Sequence, residues 1–170
     1  CDPGHDDAIA LLLALGSPEL DVLGVTTTYG NQTLEKTTAN TLRVLELAGR
    51  TDVPVAAGAA APLERELVVA AHVHGESGLD GPTLPVPSVE PVSTDAVGWI
   101  ASTVERAGRP VALVPTGPLT NVARYLDRHG TDGIAQIVVM GGAIAEGSGA
   151  TRETLGAGRG LDRPVAAAGE

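Results

Sequence analysis

Several residue types are scarce in this chain, and each shortage narrows what the protein can be. No phenylalanine occurs among the 170 residues, and the aromatic side chains are limited to Tyr29, Trp99 and Tyr125. A hydrophobic core must therefore be built mainly from Val, Leu, Ile and Ala. The single cysteine, Cys1, excludes an internal disulfide bond and favours a reducing, cytoplasmic location.

Positive charge and long apolar runs are also scarce. The chain has 11 basic residues and 21 acidic ones, which gives a net charge of −10, and it has no basic cluster. This balance argues against nucleic acid or an anionic membrane as a partner. The apolar run at residues 11–15 is far shorter than the roughly 18 residues of a membrane span, and it has no basic flank of the kind that begins a signal peptide.

Helical and strand patterns alternate along most of the sequence. Apolar spacing and helix-ending glycines predict helices at residues 7–16, 34–48, 95–107 and 119–128. Runs rich in β-branched and apolar residues predict strands at 21–28, 53–56, 111–114 and 134–140. This order is typical of an α/β fold with a mostly parallel, Rossmann-like sheet flanked by helices. The segment 58–92, rich in proline and glycine, interrupts the alternation and is long enough to be functional.

Three carboxylates crowd the first seven residues, at Asp2, Asp6 and Asp7. Like charges this close repel one another, and a hard divalent cation with oxygen ligands is the simplest source of compensation. A strand that ends at Asp2 and a helix that begins near Asp6 would place these acids at the carboxyl end of a strand, where open α/β sheets bind ligands. The alternative is that Asp6 or Asp7 caps the helix, which leaves Asp2 unexplained.

Three further motifs each allow a structural and a functional interpretation. The segment 115–121 follows a predicted strand. It is either a turn with Thr116 or Thr120 as a helix cap, or a second strand end that presents a carbonyl to the same cleft. His74, beside a glycine, is either a solvated loop residue or a ligand contact in a mobile lid. Met140 precedes two glycines, which either form a bend or permit close approach of a ligand.

Taken together, these motifs resemble the inosine–uridine preferring nucleoside hydrolase family. The opening Asp-Pro-Gly-His-Asp-Asp-Ala at residues 2–8 is similar to that family's Asp-Pro-Gly-x-Asp-Asp-Ala signature. Further blocks follow in the family's order and spacing, at residues 30–32, 52–56, 62–65, 74–78, 115–121 and 140–142. The resemblance covers about residues 1–147 and implies a partial nucleoside hydrolase domain over that range.

The resemblance implies a Ca²⁺ ion at the strand ends that contacts a water molecule and the 2′ and 3′ hydroxyls of a ribose. Asp2 and Asp7 match metal ligands of the family, and Thr116 matches a residue whose backbone carbonyl is a ligand. Asp2 also matches the general base that takes a proton from the water. Calcium is therefore the expected cofactor.

The resemblance also implies a substrate and the residues that contact it. Asp6 and Asn31 match ribose contacts, His74 matches a residue of a mobile loop near the nucleobase, and Met140 matches a residue that lines the sugar pocket. The implied reaction is hydrolysis of a ribonucleoside to ribose and free base, in which carboxylates favour the positive charge that develops on the sugar. Members of the family tend to form homo-oligomers, so a second copy is a further expected partner.

The last part of the chain departs from the family's pattern. Ser148 stands where the family usually has Asn, and no Glu-Phe-Asn-like segment follows. The family's later half, with a further Asp ligand and a His that protonates the leaving base, has no counterpart. We therefore expect a truncated domain with impaired hydrolysis, and the alternative is a non-catalytic remnant that binds Ca²⁺ or a ribosyl group.

Residues 148–170 form an irregular tail rich in Gly, Ala and Arg. We predict that this tail is a shifted reading frame, because such composition is typical of GC-rich DNA translated out of frame. Translation of the coding DNA in the other two frames should then give a Glu-Phe-Asn-like segment. The absence of such a segment from both frames contradicts the prediction.

Overall fold

Five helices and four short strands make up the part of the chain that the computed structural model describes, residues 1–81 and 83–141. In chain order they are α1 (His5–Gly16), β1 (Val25–Thr27), α2 (Leu34–Leu47), β2 (Val55–Ala57), α3 (Ala71–His74), α4 (Ala96–Ala107), β3 (Val111–Leu113), α5 (Thr120–His129) and β4 (Ile134–Ile137). The eight predicted elements are all present with shifted ends, and α3 lies in the segment predicted to be irregular. The tail at 148–170, with Ser148, lies outside the described residues.

All the strand ladders in the described residues are parallel. β1 pairs with β2 in the register Val25↔Val55, and β3 pairs with β4 in the register Leu113↔Ile137. A helix lies in each crossover, α2 between β1 and β2 and α5 between β3 and β4. These two β-α-β units confirm the predicted α/β class, with parallel strands and flanking helices.

Two strands are shorter than their apolar runs predict. The run 21–28 contributes three strand residues, because its partner β2 is three residues long. The run 134–140 is strand as far as Ile137, and beyond it the N–H groups of Val138 and Met140 still donate to carbonyls of the β3 side. Apolar composition therefore located the strands, while the partner strands set their ends.

Two apolar clusters pack against the two strand pairs. The first consists of buried residues from β1, α2 and the approach to β2: Val25, Leu42, Leu45, Val53 and Val55. The second joins α4 to α5 through buried Val97, Ile100 and Tyr125. The small number of aromatic residues fits this core of aliphatic side chains. Among the helices of the described ranges, none is long and apolar enough to cross a membrane.

The helix starts correct part of the sequence interpretation. α1 begins after Gly4 without a side-chain cap, so capping by Asp6 or Asp7 is wrong, although both lie in its first turn and suit the helix dipole. Capping of α5 by Thr120 is also wrong, because its hydroxyl bonds to the Tyr29 hydroxyl at 2.8 Å. By contrast, the side chain of Asp95 accepts a hydrogen bond from the first turn of α4.

Cys1 lies where the sequence predicts a strand end. No strand is assigned there, but the Cys1 amino group donates to Thr26 O at 2.8 Å, and Thr28 N–H donates to Cys1 O at 3.0 Å. This pair of bonds is one rung of a parallel ladder beside β1. Asp2 therefore follows a residue that is paired like a strand, as the sequence predicts.

Asn121, in the first turn of α5, ties this helix to the first strand pair. Its Oδ1 accepts a hydrogen bond from Ala59 N–H at 2.9 Å, and its Nδ2 donates to Thr27 O at 2.9 Å. The residue is 6% exposed, so both backbone groups would lack a partner without it. A single amide thus satisfies two buried main-chain groups from different segments.

We predict that Asn121→Ala lowers the free energy of unfolding by about 2–4 kcal/mol, because two buried backbone groups lose their partners. Asp127→Ala, on the exposed side of the same helix, is the matched control and should change it by less than about 0.5 kcal/mol. Urea denaturation followed by circular dichroism measures both variants. Equal stability of the two variants contradicts the role assigned to Asn121.

Candidate functional site

Asp2, which follows the strand-like residue Cys1, forms a buried pair with Asp7. Asp2 is 5% exposed and Asp7 is 3% exposed. The chain passes through Pro3 and Gly4 into α1, and Asp7 lies in the first turn of this helix. The Asp7 side chain reaches back to the start of the chain, where Asp2 N–H donates to Asp7 Oδ2 at 3.0 Å. The predicted crowding of acids is therefore present for these two residues.

The Asp2 carboxylate is enclosed by two loops that follow strands. Asn31 N–H donates to its Oδ2 at 2.8 Å. A Cβ on Gly30, which has φ +158°, would lie 1.9 Å from Oδ2, and a Cβ on Gly117 would lie 1.8 Å from Oδ1. Because neither distance is possible, both positions require glycine. We call this arrangement of Asp2, Asp7, Asn31 and Thr116 around the two glycines the Asp2 site.

The Asp2 site is short of positive charge. Burial, and then the nearby Asp7 carboxylate, raise the pKa of Asp2 to about 8, although the Cys1 ammonium and Asn31 N–H act in the opposite direction. The Cys1 amino group has its own pKa lowered by burial, against the influence of Asp7 and Asp2. Two carboxylates and one poorly solvated amine thus share a buried space. A cation at this position would favour the charged form of Asp2.

Thr116, in the loop whose Gly117 contacts Asp2, carries an unpartnered polar atom. Its hydroxyl oxygen is buried and, within the described residues, has no hydrogen-bond partner. Thr116 lies between Pro115 and Gly117, directly beside the glycine that contacts the Asp2 carboxylate. Its predicted role as a cap for α5 is wrong, since the cap position is Leu119. A buried polar group without a partner requires an explanation, and an ion or a water molecule is one such explanation.

The donors of the Asp2 site are all oxygens, which suits a hard cation. Within residues 1–81 and 83–141, however, no group of three or more His, Cys, Asp or Glu side chains could hold a metal ion. The site therefore has two carboxylates, and Ca²⁺ usually binds roughly six to eight oxygens. The remaining ligands would have to come from Thr116, main-chain carbonyls, water or a substrate. The residues present fit part of a calcium site.

His74 lies against the turn that carries the acids. Its Nδ1 is 3.1 Å from Nδ1 of His5, and its ring would clash with a Cβ on Gly4 at 2.6 Å. His5 Nε2 is also 3.0 Å from Asp80 O. The loop that follows α3 is thereby joined to the turn between Cys1 and α1, and the role of His74 near a nucleobase stays a prediction.

The other residues predicted to contact a substrate differ in exposure and in the contacts of their side chains. Asn31 uses its side chain within the protein, since Nδ2 donates to Asp2 O at 3.0 Å. Asp6 is exposed in the first turn of α1. Met140 is 53% exposed, and its N–H donates to Pro115 O, which places it beside the Thr116 loop. Their roles toward a ribose stay predictions.

Sequence reasoning missed the residues that hold the loop of His74 in place. Gln32 Nε2 donates to Gly75 O at 3.1 Å, and Asn40 Nδ2 donates to Ser77 O at 2.8 Å. The Asp80 carboxylate accepts from the N–H groups of Glu76 and Ser77 at 3.0 Å each. Gln32 belongs to the motif at residues 30–32, but its partner lies 43 residues away along the chain. Nothing in the neighbouring sequence signals such a contact.

Solved structures with a similar fold are nucleoside hydrolases. A purine-preferring ribonucleoside hydrolase from Gardnerella vaginalis superposes with a TM-score of 0.80 at 35% identity, over 85% of this chain and 48% of that one. The plant nucleoside hydrolase PpNRh1 gives a TM-score of 0.75 at 40% identity, over 84% of this chain and 46% of that one.

Curated relatives agree with these structures. The pyrimidine-specific ribonucleoside hydrolase RihA of a Shewanella species is 57% identical over 150 residues, and that of Photobacterium profundum is 58% identical over 150 residues. Each alignment covers 87% of this chain, which spans about half the length of these relatives (47% and 48%). The family model for inosine-uridine preferring nucleoside hydrolases matches residues 1–158. The chain therefore belongs to the inosine-uridine preferring nucleoside hydrolase family.

Proposed function

We propose that the Asp2 site is the calcium- and ribose-binding part of a nucleoside hydrolase centre, and that the reaction it serves is hydrolysis of a ribonucleoside to ribose and free base. The observation that carries this proposal is the enclosure of the Asp2 carboxylate between Gly30 and Gly117, beside Asp7 and the unpartnered Thr116 hydroxyl. A buried carboxylate crowded by a second carboxylate is suited to a cation and not to packing.

The cofactor that we propose is Ca²⁺, held by the carboxylates of Asp2 and Asp7 and by oxygens of Thr116. When bound, it supplies positive charge that compensates the two carboxylates and that orients water and the hydroxyls of a ribose. The site supports this assignment through its donor chemistry, because oxygen ligands suit Ca²⁺ better than softer metals.

The residues of the Asp2 site have separate tasks in the proposed reaction. Asp2 takes a proton from the attacking water, for which its carboxylate must be charged, and a bound cation favours that charged form. Asn31 holds Asp2 through two hydrogen bonds of 2.8 and 3.0 Å, which fixes the direction of its carboxylate. We assign Asp6, which is exposed in the first turn of α1, a contact with a ribose hydroxyl.

The sugar must carry positive charge as the N-ribosidic bond breaks. Buried carboxylates close to the sugar ring favour this charge in the transition state. His74 is held against His5 beside the turn that carries the acids. We assign it a contact with the base, and Met140 a contact with the sugar.

Pyrimidine ribonucleosides are the substrates we propose to test first. The relatives at 57% and 58% identity are named pyrimidine-specific, whereas the structurally similar enzyme named purine-preferring is 35% identical. Uridine and cytidine are therefore better first choices than inosine.

A second candidate function is that of a calcium- and ribosyl-binding protein with little turnover. The described residues bring two carboxylates to the Asp2 site, fewer oxygens than Ca²⁺ binds. Titration calorimetry with Ca²⁺ and ribose, together with a reducing-sugar assay on uridine, separates the two. Hydrolysis that depends on Ca²⁺ supports the enzyme, binding without hydrolysis supports the binding protein, and the absence of both contradicts the proposal.

We predict that Gly117→Ala weakens Ca²⁺ binding at least about tenfold, because its methyl group would occupy the position of Asp2 Oδ1 and must displace the carboxylate. Gly16→Ala is the matched control, since a Cβ there meets nothing within 4 Å at the end of α1. Calorimetric titration of both variants measures the effect. Equal Ca²⁺ affinity in the two variants would show that the enclosure of Asp2 plays no part in the site.

We predict that Asp2 links stability to pH in opposite directions with and without Ca²⁺. In the free protein its pKa is raised from 3.8 to about 8, so the folded state holds a proton that the unfolded state loses between these values. The protonated Asp2 carboxyl therefore contributes its full stabilisation below about pH 4, near the ordinary pKa of aspartate. This stabilisation is lost as the pH rises to about 8. Bound Ca²⁺ favours the charged carboxylate and reverses this slope.

The measurement is Tm at pH 5 and pH 8 for the native chain and for Asp2→Asn, with and without millimolar Ca²⁺. The difference between the two proteins reports the Asp2 carboxylate together with its effect on the Cys1 amine, whose lowered pKa acts in the opposite direction. Without Ca²⁺, the Tm of the native chain minus the Tm of Asp2→Asn should fall by about 4 °C or more from pH 5 to pH 8. With Ca²⁺, the same difference in Tm should rise over this range. The same slope under both conditions contradicts the assignment of Asp2 as a ligand.

A further inference from the structure

Two histidine rings form a chain of contacts that ends at a backbone carbonyl. His5 Nε2 lies 3.0 Å from Asp80 O, and His5 Nδ1 lies 3.1 Å from His74 Nδ1. We call these contacts, from Asp80 O through His5 to His74, the histidine relay. A neutral imidazole has one N–H, so one ring nitrogen donates and the other accepts, and the partners of each ring decide which.

The Asp80 carbonyl determines where the proton of His5 lies. A carbonyl oxygen can only accept a hydrogen bond, so Nε2 of a neutral His5 must carry the proton that is donated. Nδ1 of that ring is then bare and can only accept. Because this bare nitrogen faces His74, the contact between the rings requires a proton on His74 Nδ1.

The opposite form of His74, with a bare Nδ1, fits these contacts poorly when both rings are neutral. A bare His74 Nδ1 could accept the main-chain N–H of His5, but that contact is 3.4 Å long. It would also leave the bare Nδ1 atoms of both rings 3.1 Å apart with no proton between them. The shorter contact, with its proton supplied by His74, is therefore the better hydrogen bond.

The loop that provides the Asp80 carbonyl is held in place independently of His5. The Asp80 carboxylate accepts two main-chain N–H groups of its own loop at 3.0 Å each, and Asp80 N–H donates to His74 O at 3.2 Å. The His74 ring packs against Gly4, where a Cβ would lie 2.6 Å from its Cε1. Both ends of the histidine relay are thus fixed, although His5 itself is exposed.

His74 Nε2 is the ring nitrogen that the histidine relay does not use. Within residues 1–81 and 83–141, the hydrogen bonds of the His74 ring are made through Nδ1. With the proton on Nδ1, His74 Nε2 is bare and can only accept. An acceptor at this position favours a ligand that offers an N–H and disfavours one that offers a carbonyl oxygen.

We propose that His5 is a positioning residue that holds His74 in the Nδ1–H form, so that His74 Nε2 is presented to a ligand as a hydrogen-bond acceptor. The ligand class that follows is a nucleobase with an N–H on its edge, such as N3–H of uracil. This choice of ligand rests on the proposed function, in which His74 contacts the base, whereas the form of His74 does not.

Nitrogen-15 NMR of the full chain, labelled at histidine, tests the form of His74 directly, because protonated and bare ring nitrogens differ widely in chemical shift. At pH 8 an imidazole in water is uncharged. We expect the Nδ1–H form of His74 to exceed the Nε2–H form at least about fivefold there, which is the effect of one hydrogen bond. Free histidine favours the Nε2–H form, so this result requires a partner for Nδ1.

Three variants separate the histidine relay from ring packing. His5→Phe keeps a ring against His74 without its nitrogens and should invert the preference, since the main-chain N–H of residue 5 is then the partner of Nδ1. His5→Asn places an oxygen acceptor near the position of the lost Nδ1 and should restore the Nδ1–H form. His72→Phe, exposed in the same helix as His74, is the matched control and should change nothing.

Calorimetric titration in the presence of Ca²⁺ tests the ligand class. The native chain should bind uridine at least about tenfold more tightly than 3-methyluridine, in which a methyl group replaces the N3 proton. This ratio should fall below about threefold in His5→Phe and return in His5→Asn. A steric effect of the methyl group would persist in His5→Phe, and a purely structural role of His5 would weaken both nucleosides equally.

The NMR and binding results are decided separately. The Nε2–H form of His74 in the native chain, or an unchanged form in His5→Phe, overturns the histidine relay. Equal affinity for uridine and 3-methyluridine, or a ratio that persists in His5→Phe, overturns the ligand class. If neither uridine nor ribose binds, the proposed function and the ligand class fail together, and the NMR result still decides whether His5 fixes the form of His74.

Discussion

The site depends on one constraint, the burial of the Asp2 carboxylate between two loops that leave no room for a side chain. Gly30 and Gly117 approach its two oxygens from opposite sides, and Asn31 N–H bonds to one of them. A carboxylate in such a position needs compensation for its charge. The neighbouring Asp7 and the unpartnered hydroxyl of Thr116 are the further features from which we propose that a cation compensates this charge.

The fold brings these groups together because parallel strands end at the same edge of a sheet. The loops after β1 and β3 and the turn after Cys1 all reach Asp2, although they are separated by about 30 to 115 residues in the sequence. Asn121 joins α5 to the end of β1 and so fixes the second loop relative to the first. Stability of the fold and geometry of the site therefore share the same contacts.

Sequence patterns predicted the parts of this arrangement that are local. Alternating helices and strands, the acids at Asp2 and Asp7, and the position of Thr116 after a strand could all be read from neighbouring residues. The enclosure of Asp2 could not, because it depends on glycines that are 28 and 115 positions away from it in the sequence. The predicted caps failed for a related reason: Thr120 found a distant hydroxyl partner, on Tyr29, in place of its own helix.

We propose that the Asp2 carboxylate is largely neutral at pH 7 in the free protein and becomes a charged ligand when Ca²⁺ binds. The most direct measurement is a pH titration of the ¹³C-labelled Asp2 carboxyl carbon by NMR, with and without Ca²⁺. The account predicts a midpoint near the pKa of about 8 without the ion and one at least two pH units lower, roughly the effect of a close opposite charge, with it. A midpoint that Ca²⁺ does not move would contradict the account.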